Sequence, residues 1–200
     1  MDIGPATRIL SIVLLIESAT MILPFAVSLL YGDGDVYAFL LAIVITATVG
    51  LLLYLFTTAE GKVRYREGFL IVGLGWLLIS IFGCFPFWFA GTFPTFLDCF
   101  FEAVSGFTTT GATILEFVEN QPHGVLFWRS FMHWLGGMGV LIFTIALLSV
   151  PGVNSLSIFR TESPGLPSDK LVPKLRQTAK ILYGVYFLFT LFAVIALKIA

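Results

Sequence analysis

The chain has 200 residues, of which 58% are hydrophobic and 12% are charged, and its formal net charge is −1. A soluble domain carries about 25% charged residues, so a water-facing surface cannot be assembled from this composition. The near-neutral balance gives no electrostatic footprint for nucleic acid, and the long charge-poor runs name lipid as the solvent.

Five segments reach the length of about twenty apolar residues that a spanning helix needs: residues 9–31, 36–57, 69–90, 125–150 and 179–200. The first is too long for the apolar core of a signal peptide and carries Glu17 in its middle, so it reads as a retained helix. Orientation follows from Lys and Arg. Arg8 precedes the first segment, Lys62, Arg64 and Arg66 lie between the second and third, and Arg160, Lys170, Lys174, Arg176 and Lys180 lie between the fourth and fifth. The connections 32–35 and 91–124 contain neither Lys nor Arg and carry Asp33, Asp35, Asp98, Glu102, Glu116 and Glu119 instead. The N-terminus is therefore expected to be cytoplasmic and 91–124 to face outward. The last segment runs to Ala200 with no flanking tail, and the expectation is a truncated piece of a longer protein.

Residues 93–117, FPTFLDCFFEAVSGFTTTGATILEF, are too apolar for an ordinary outer loop and too short in their helical part to cross. That part, 96–105, is about 15 Å long, half of a hydrocarbon core of about 30 Å. Thr95 is placed to cap it, with Asp98 three residues on as the acid of a capping box. Gly106 is expected to end it in the left-handed conformation. Thr108, Thr109, Thr110, Gly111, Ala112 and Thr113 follow as a poor helix former, and Glu116, Glu119 and Asn120 require a return to the outer side. Extended backbone at membrane depth survives only buried in protein or lining a watery path. Its carbonyls can replace the hydration shell of a potassium ion, and the C-terminal end of the half-helix favours a cation nearby. The fold class expected is an all-α membrane protein: about five transmembrane helices, one re-entrant pore half-helix and a filter loop.

FFEAVSGFTTTGAT at 100–113 resembles the first pore loop of the Trk/Ktr/HKT superfamily of potassium transporters. REGFLIV at 66–72, RSFMHWLGGMGVLI at 129–142 and RTESPG at 160–165 resemble the bacterial Trk-type membrane subunit in particular. The resemblance implies four helix–pore loop–helix repeats around one pore, with an extra helix pair in front. Residues 1–60 would be that pair, 61–151 the first repeat with its filter, 152–178 a cytoplasmic loop, and 179–200 the first helix of the second repeat. It further implies potassium-coordinating carbonyls at Thr109 and Thr110, with Gly111 as the filter glycine. Thr108, Ala112 and Thr113 would support the filter. Glycine rather than serine at 111 goes with potassium over sodium. Potassium uptake across the inner or plasma membrane, with K+ as the transported ion and no enzymatic step, is the function implied. The alternative is a non-transporting truncated fragment, or one part of a split transporter. Implied partners are membrane lipid, a cytoplasmic nucleotide-binding regulatory subunit and a second copy in a homodimer.

Glu102 either concentrates cations or pairs with Arg129, and pairing is favoured because a buried charge needs a partner. Glu17 reads as a polar contact between helices, His123 as a loop residue and His133 as a packed helix residue. Cys84 and Cys99 read as small packing residues, since they lack metal-type spacing. Gly136, Gly137 and Gly139, with Gly73, Gly75 and Gly83, suggest close helix approach, and the aromatic run 82–96 an interfacial belt.

Overall fold

The computed structural model describes residues 3–57, 65–148 and 171–199. The protein is all-helical over these residues: α1 (Ile3–Thr20), α2 (Ile22–Tyr31), α3 (Val36–Leu55), α4 (Tyr65–Gly83), α5 (Phe85–Ala90), α6 (Phe96–Phe107), α7 (His123–Leu148) and α8 (Leu171–Ile199). Four stretches, Gly4–Tyr31, Val36–Leu55, Gly68–Ala90 and Ala179–Ile199, are long and apolar enough to cross a membrane. The remaining predicted segment, 125–150, coincides with α7, whose 26 residues run about 39 Å at 1.5 Å per residue. Its last two residues and residues 152–170 of the predicted loop 152–178 lie outside the described residues, whereas 171–178 are not loop but the first turns of α8.

Two of the predicted spans are broken rather than continuous. The first divides at Met21, three residues before Pro24, and the third at Cys84, two residues before Pro86. Proline has no N–H for the residue four back, so each break leaves helix carbonyls to be satisfied in another way. At the second break the Cys84 thiol donates to the Ile81 carbonyl at 3.0 Å, and the Trp128 indole Nε1 donates to the Gly83 carbonyl at 2.9 Å.

The chain divides into two compact units, residues 1–136 and 137–200. In the first, α1 packs on α3 and α4, α5 packs on α3, and α6 packs on α4. A core of Met21, Phe39, Phe87, Phe93, Phe107 and Trp128, with the free thiols Cys84 and Cys99, is fully or nearly buried. The aromatic run 82–96 is thus divided: Phe87 and Phe93 serve the core, while Trp88, Phe89 and Phe96 face out. In the second unit the Tyr183 hydroxyl donates to the Met138 carbonyl at 3.4 Å, and a Cβ on Gly137 would lie 2.5 Å from the Tyr186 hydroxyl. Described side chains in the membrane-length stretch of α8 are all unburied.

One end of the first unit is clamped by the 32–35 turn. Asp33 Oδ2 accepts from the His123 backbone N–H at 2.8 Å and lies 2.6 Å from its Nδ1, while the His123 ring stacks on Tyr31 with centroids 3.9 Å apart. Asp35 is buried, bonded to the Ser28 hydroxyl, and faces Gly124. His123 is therefore the partnered first residue of α7 and not the loop residue expected. Two carboxylates at the helix start complement its dipole.

The glycines divide by function. A Cβ on Gly73 would meet nothing, whereas one on Gly136 would run into the Phe107 backbone carbonyl. Gly136→Ala is expected to cost about 1–3 kcal/mol, because a backbone atom cannot yield. Gly73→Ala is expected to be neutral or to gain up to about 1 kcal/mol of helix propensity. Thermal unfolding of the detergent-solubilised protein checks the pair, and equal midpoints would contradict the contact.

Asp33 has its carboxyl held below the usual range, first by the His123 backbone N–H and then by the His123 side chain. A depressed native value means stability that is present above about pH 4 and lost as pH falls further. The stability difference between the wild type and Asp33→Asn should therefore shrink on acidification below about pH 4. A constant difference from neutral pH into the acid limb would contradict the clamp.

Candidate functional site: a half-helix and its returning loop

The segment between α5 and α7 begins as expected. The Thr95 hydroxyl accepts from the Asp98 N–H at 3.2 Å, and Asp98 Oδ2 accepts from the Thr95 N–H at 3.2 Å, closing a capping box. The helix α6 then runs twelve residues, about 18 Å. It extends two residues beyond the predicted 96–105 because Gly106 does not terminate it. Gly106 stays helical, and a Cβ there would lie 3.1 Å from that of Met132 on α7. The glycine is used for close packing instead of chain reversal.

The reversal falls to Thr109, at φ +58°. Its N–H donates to the Gly106 carbonyl at 3.0 Å, and the Thr110 N–H donates to the Ser105 carbonyl at 3.0 Å. These two bonds form a Schellman-type C-cap whose left-handed position holds a β-branched residue. Such a residue is a genuine outlier there, held against a cost of roughly 1–2 kcal/mol. The hand then alternates: Thr108 has φ −79°, Thr109 is positive, Thr110 is not, and Gly111 is again positive at +75°.

Residues 108–111 are all exposed. Among the described residues, no donor reaches the carbonyl oxygens of Thr108, Thr109, Thr110 or Gly111. The neighbouring groups are occupied. The Ser105 hydroxyl donates to the Ala112 carbonyl at 2.6 Å, the Thr108 hydroxyl donates to the Val104 carbonyl at 2.7 Å, and the Thr108 and Thr110 hydroxyls lie 2.8 Å apart. Gly111 has open space where a side chain would stand, so its requirement is the positive φ alone.

Below this row lies a buried anchor. Glu102 is 1% exposed. Its carboxylate accepts from Arg129 Nε at 2.5 Å, from the Thr113 hydroxyl at 3.0 and 3.1 Å, and from the Ile114 N–H at 3.3 Å. The pairing with Arg129 expected from the sequence is present. The two bonds to the returning strand were not foreseen, and neither were the parts played by Ser105 and Trp128. Trp128 stacks edge-on against Phe107 at 6.1 Å. A serine inside a helix and a tryptophan on the next one carry no sequence signal of these contacts.

Removing one partner of a buried ion pair strands the other charge. Arg129→Ala is expected to destabilise the protein by about 3–5 kcal/mol. Adding Glu102→Gln to that variant should cost much less than Glu102→Gln costs in the wild type. A double-mutant cycle on unfolding in detergent measures the coupling, and additive effects would contradict the anchor.

Residues 36–200 match the family model TrkH, described as cation transport protein. The chain is 40% identical over 198 residues to the Trk system potassium uptake protein TrkH of Salmonella typhimurium, covering 97% of this chain and 41% of that protein. It is 33% identical over 186 residues to the Trk system potassium uptake protein TrkG of Escherichia coli, covering 92% of this chain and 38% of that protein. The crystal structure of the potassium transporter TrkH from Vibrio parahaemolyticus superposes with a TM-score of 0.77 at 31% identity, over 94% of this chain and 37% of that one. The chain thus spans about two fifths of the length of the curated relatives it matches. With its apolar helices and this match, the chain is a membrane protein and belongs to the TrkH family of cation transport proteins.

Proposed function

We propose that this chain contributes one wall of a potassium pathway in a multi-pass protein of the inner or plasma membrane. Residues 1–60 form an accessory helix pair, 61–151 a helix–pore loop–helix repeat, 152–170 a cytoplasmic loop, and α8 the opening helix of a second repeat. The helix α6 enters from the outer side and stops half-way, and the returning loop lines the pathway. Thr109, Thr110 and Gly111 offer their carbonyls to a dehydrated K+, while Thr108, Ala112, Thr113, Glu102 and Arg129 hold the row in place. The N-terminus is cytoplasmic, by the distribution of Lys and Arg.

One observation carries this reading. Four consecutive carbonyls that no donor among the described residues reaches stand on backbone of alternating hand, just past the negative end of a helix dipole. Left bare in lipid they would cost several kcal/mol. A monovalent cation supplies what they lack, and no covalent chemistry is involved. Because the relatives are longer, the full ring of such loops belongs to a longer polypeptide or to several chains together. A cytoplasmic nucleotide-binding subunit and a homodimeric assembly complete the proposal. The names of the relatives, which place them in Trk systems, support it.

Gly111→Ser leaves room for the side chain but strains the positive φ by roughly 1–2 kcal/mol. In proteoliposomes containing the longest reading frame that holds this chain, it should weaken discrimination of K+ over Na+ by about tenfold, the equivalent of 1.4 kcal/mol. Unchanged selectivity at equal protein content would contradict the filter assignment.

A further inference from the structure

Glu17 lies in α1, outside the loop described above, and is 5% exposed. No donor among the described residues reaches either of its carboxyl oxygens. It is therefore not the polar contact between helices that its position suggests. Its surroundings are specific. A Cβ built on Gly83 would lie 3.1 Å from Glu17 Oε1 and 2.5 Å from the Phe107 ring, so carboxyl and ring converge on the bare face of one glycine. The carbonyl of that same glycine holds Trp128. Phe107 is the last residue of α6, and Thr108 follows it directly.

Few other charges reach this point. Among the helices packed on α1, α2 offers only Tyr31 at its far end, and α3 offers only Tyr37 and Tyr54 near its ends, with Tyr54 lying under Arg8. The ionisable residues of α4 are in its first turn, about 24 Å from Gly83 along the helix. Beyond them, Glu102 of α6 is engaged by Arg129, and the Cys84 thiol at the helix break is a further titratable neighbour. Among the described residues an ionised carboxylate here would have neither donor nor counter-ion, and buried intramembrane carboxylates mark functional sites.

We propose that Glu17 is a proton-binding site, and that its bound proton keeps Phe107 seated against Gly83 so that the filter row begins at its proper place. The proton reaches and leaves the carboxyl as H+ exchanged with solvent, and no other bond changes. The transport half of this inference rests on the function proposed above, whereas the proton site does not. Loss of the proton puts a negative charge beside the negative end of α6. Uptake should therefore be full while Glu17 is protonated and should fall as pH is raised through its titration.

The test uses the longest reading frame that holds this chain, in two measurements. At pH 7, where a water-exposed carboxyl is ionised, the infrared difference between wild type and Glu17→Gln should contain a protonated-carboxyl stretch contributed by the wild type. Its absence overturns the proton site. In proteoliposomes, wild-type uptake of rubidium should decline with rising pH at a limiting slope of about tenfold per unit, and Glu17→Gln should lack that decline. Superimposed profiles overturn the link to the filter. Glu17→Leu replaces the amide variant in both measurements should the latter fail to fold. Wild-type protein that takes up no rubidium defeats the transport reading alone, since the infrared result needs no transport.

Discussion

The arrangement around the loop depends on one buried carboxylate. Glu102 projects from the middle of α6 and holds Thr113 and Ile114 on the returning chain and Arg129 on α7. Three pieces of chain are thereby fixed to one point. Without that point, the stretch from Thr108 to Ala112 would have its C-cap bonds and the hydroxyls of Ser105, Thr108 and Thr110 to define it, none of which reaches α7. A buried pair of this kind adds little net stability over an apolar substitute. Its value is geometric: it gives a short irregular loop a single path.

The rest of the first unit brings that loop into register. Gly136 and Gly106 let α6 and α7 approach until the Phe107 carbonyl and the Met132 side chain occupy the space side chains would need. The break at Cys84 frees a carbonyl for Trp128, and Trp128 supports Phe107 from a second direction. Asp33 accepts from the first N–H of α7 and so secures its start. With its ends held, the loop can keep Thr109 in a conformation that β-branched residues avoid. Backbone strain of this kind concentrates where function needs it. The consequence here is a row of carbonyls that no donor among the described residues reaches.

Much of this was legible in the residues. The capping box of Thr95 and Asp98, the short reach of α6, the membrane-length helices and the ion pair of Glu102 with Arg129 all follow from local pattern or charge accounting. What was not legible had physical reasons. Gly106 packs against Met132 where chain reversal is expected of it, because glycine serves both chain reversal and close packing and only tertiary contact decides which. The breaks at Met21 and Cys84 lie before Pro24 and Pro86, yet a proline alone does not distinguish a kink from a break. The clamp of Asp33 on His123 joins residues 90 positions apart, beyond the range of any periodicity. Glu17 showed itself as an intramembrane charge, but not that it would meet Gly83 and Phe107.

The central claim is that the carbonyls of Thr109, Thr110 and Gly111 hold a dehydrated monovalent cation. Anomalous diffraction from rubidium-loaded crystals of the longest reading frame containing this chain tests it most directly. The account predicts rubidium peaks on the open side of those three carbonyls, displaced when rubidium is exchanged for potassium. Well-ordered carbonyls with no rubidium beside them, or rubidium bound only elsewhere, would contradict it.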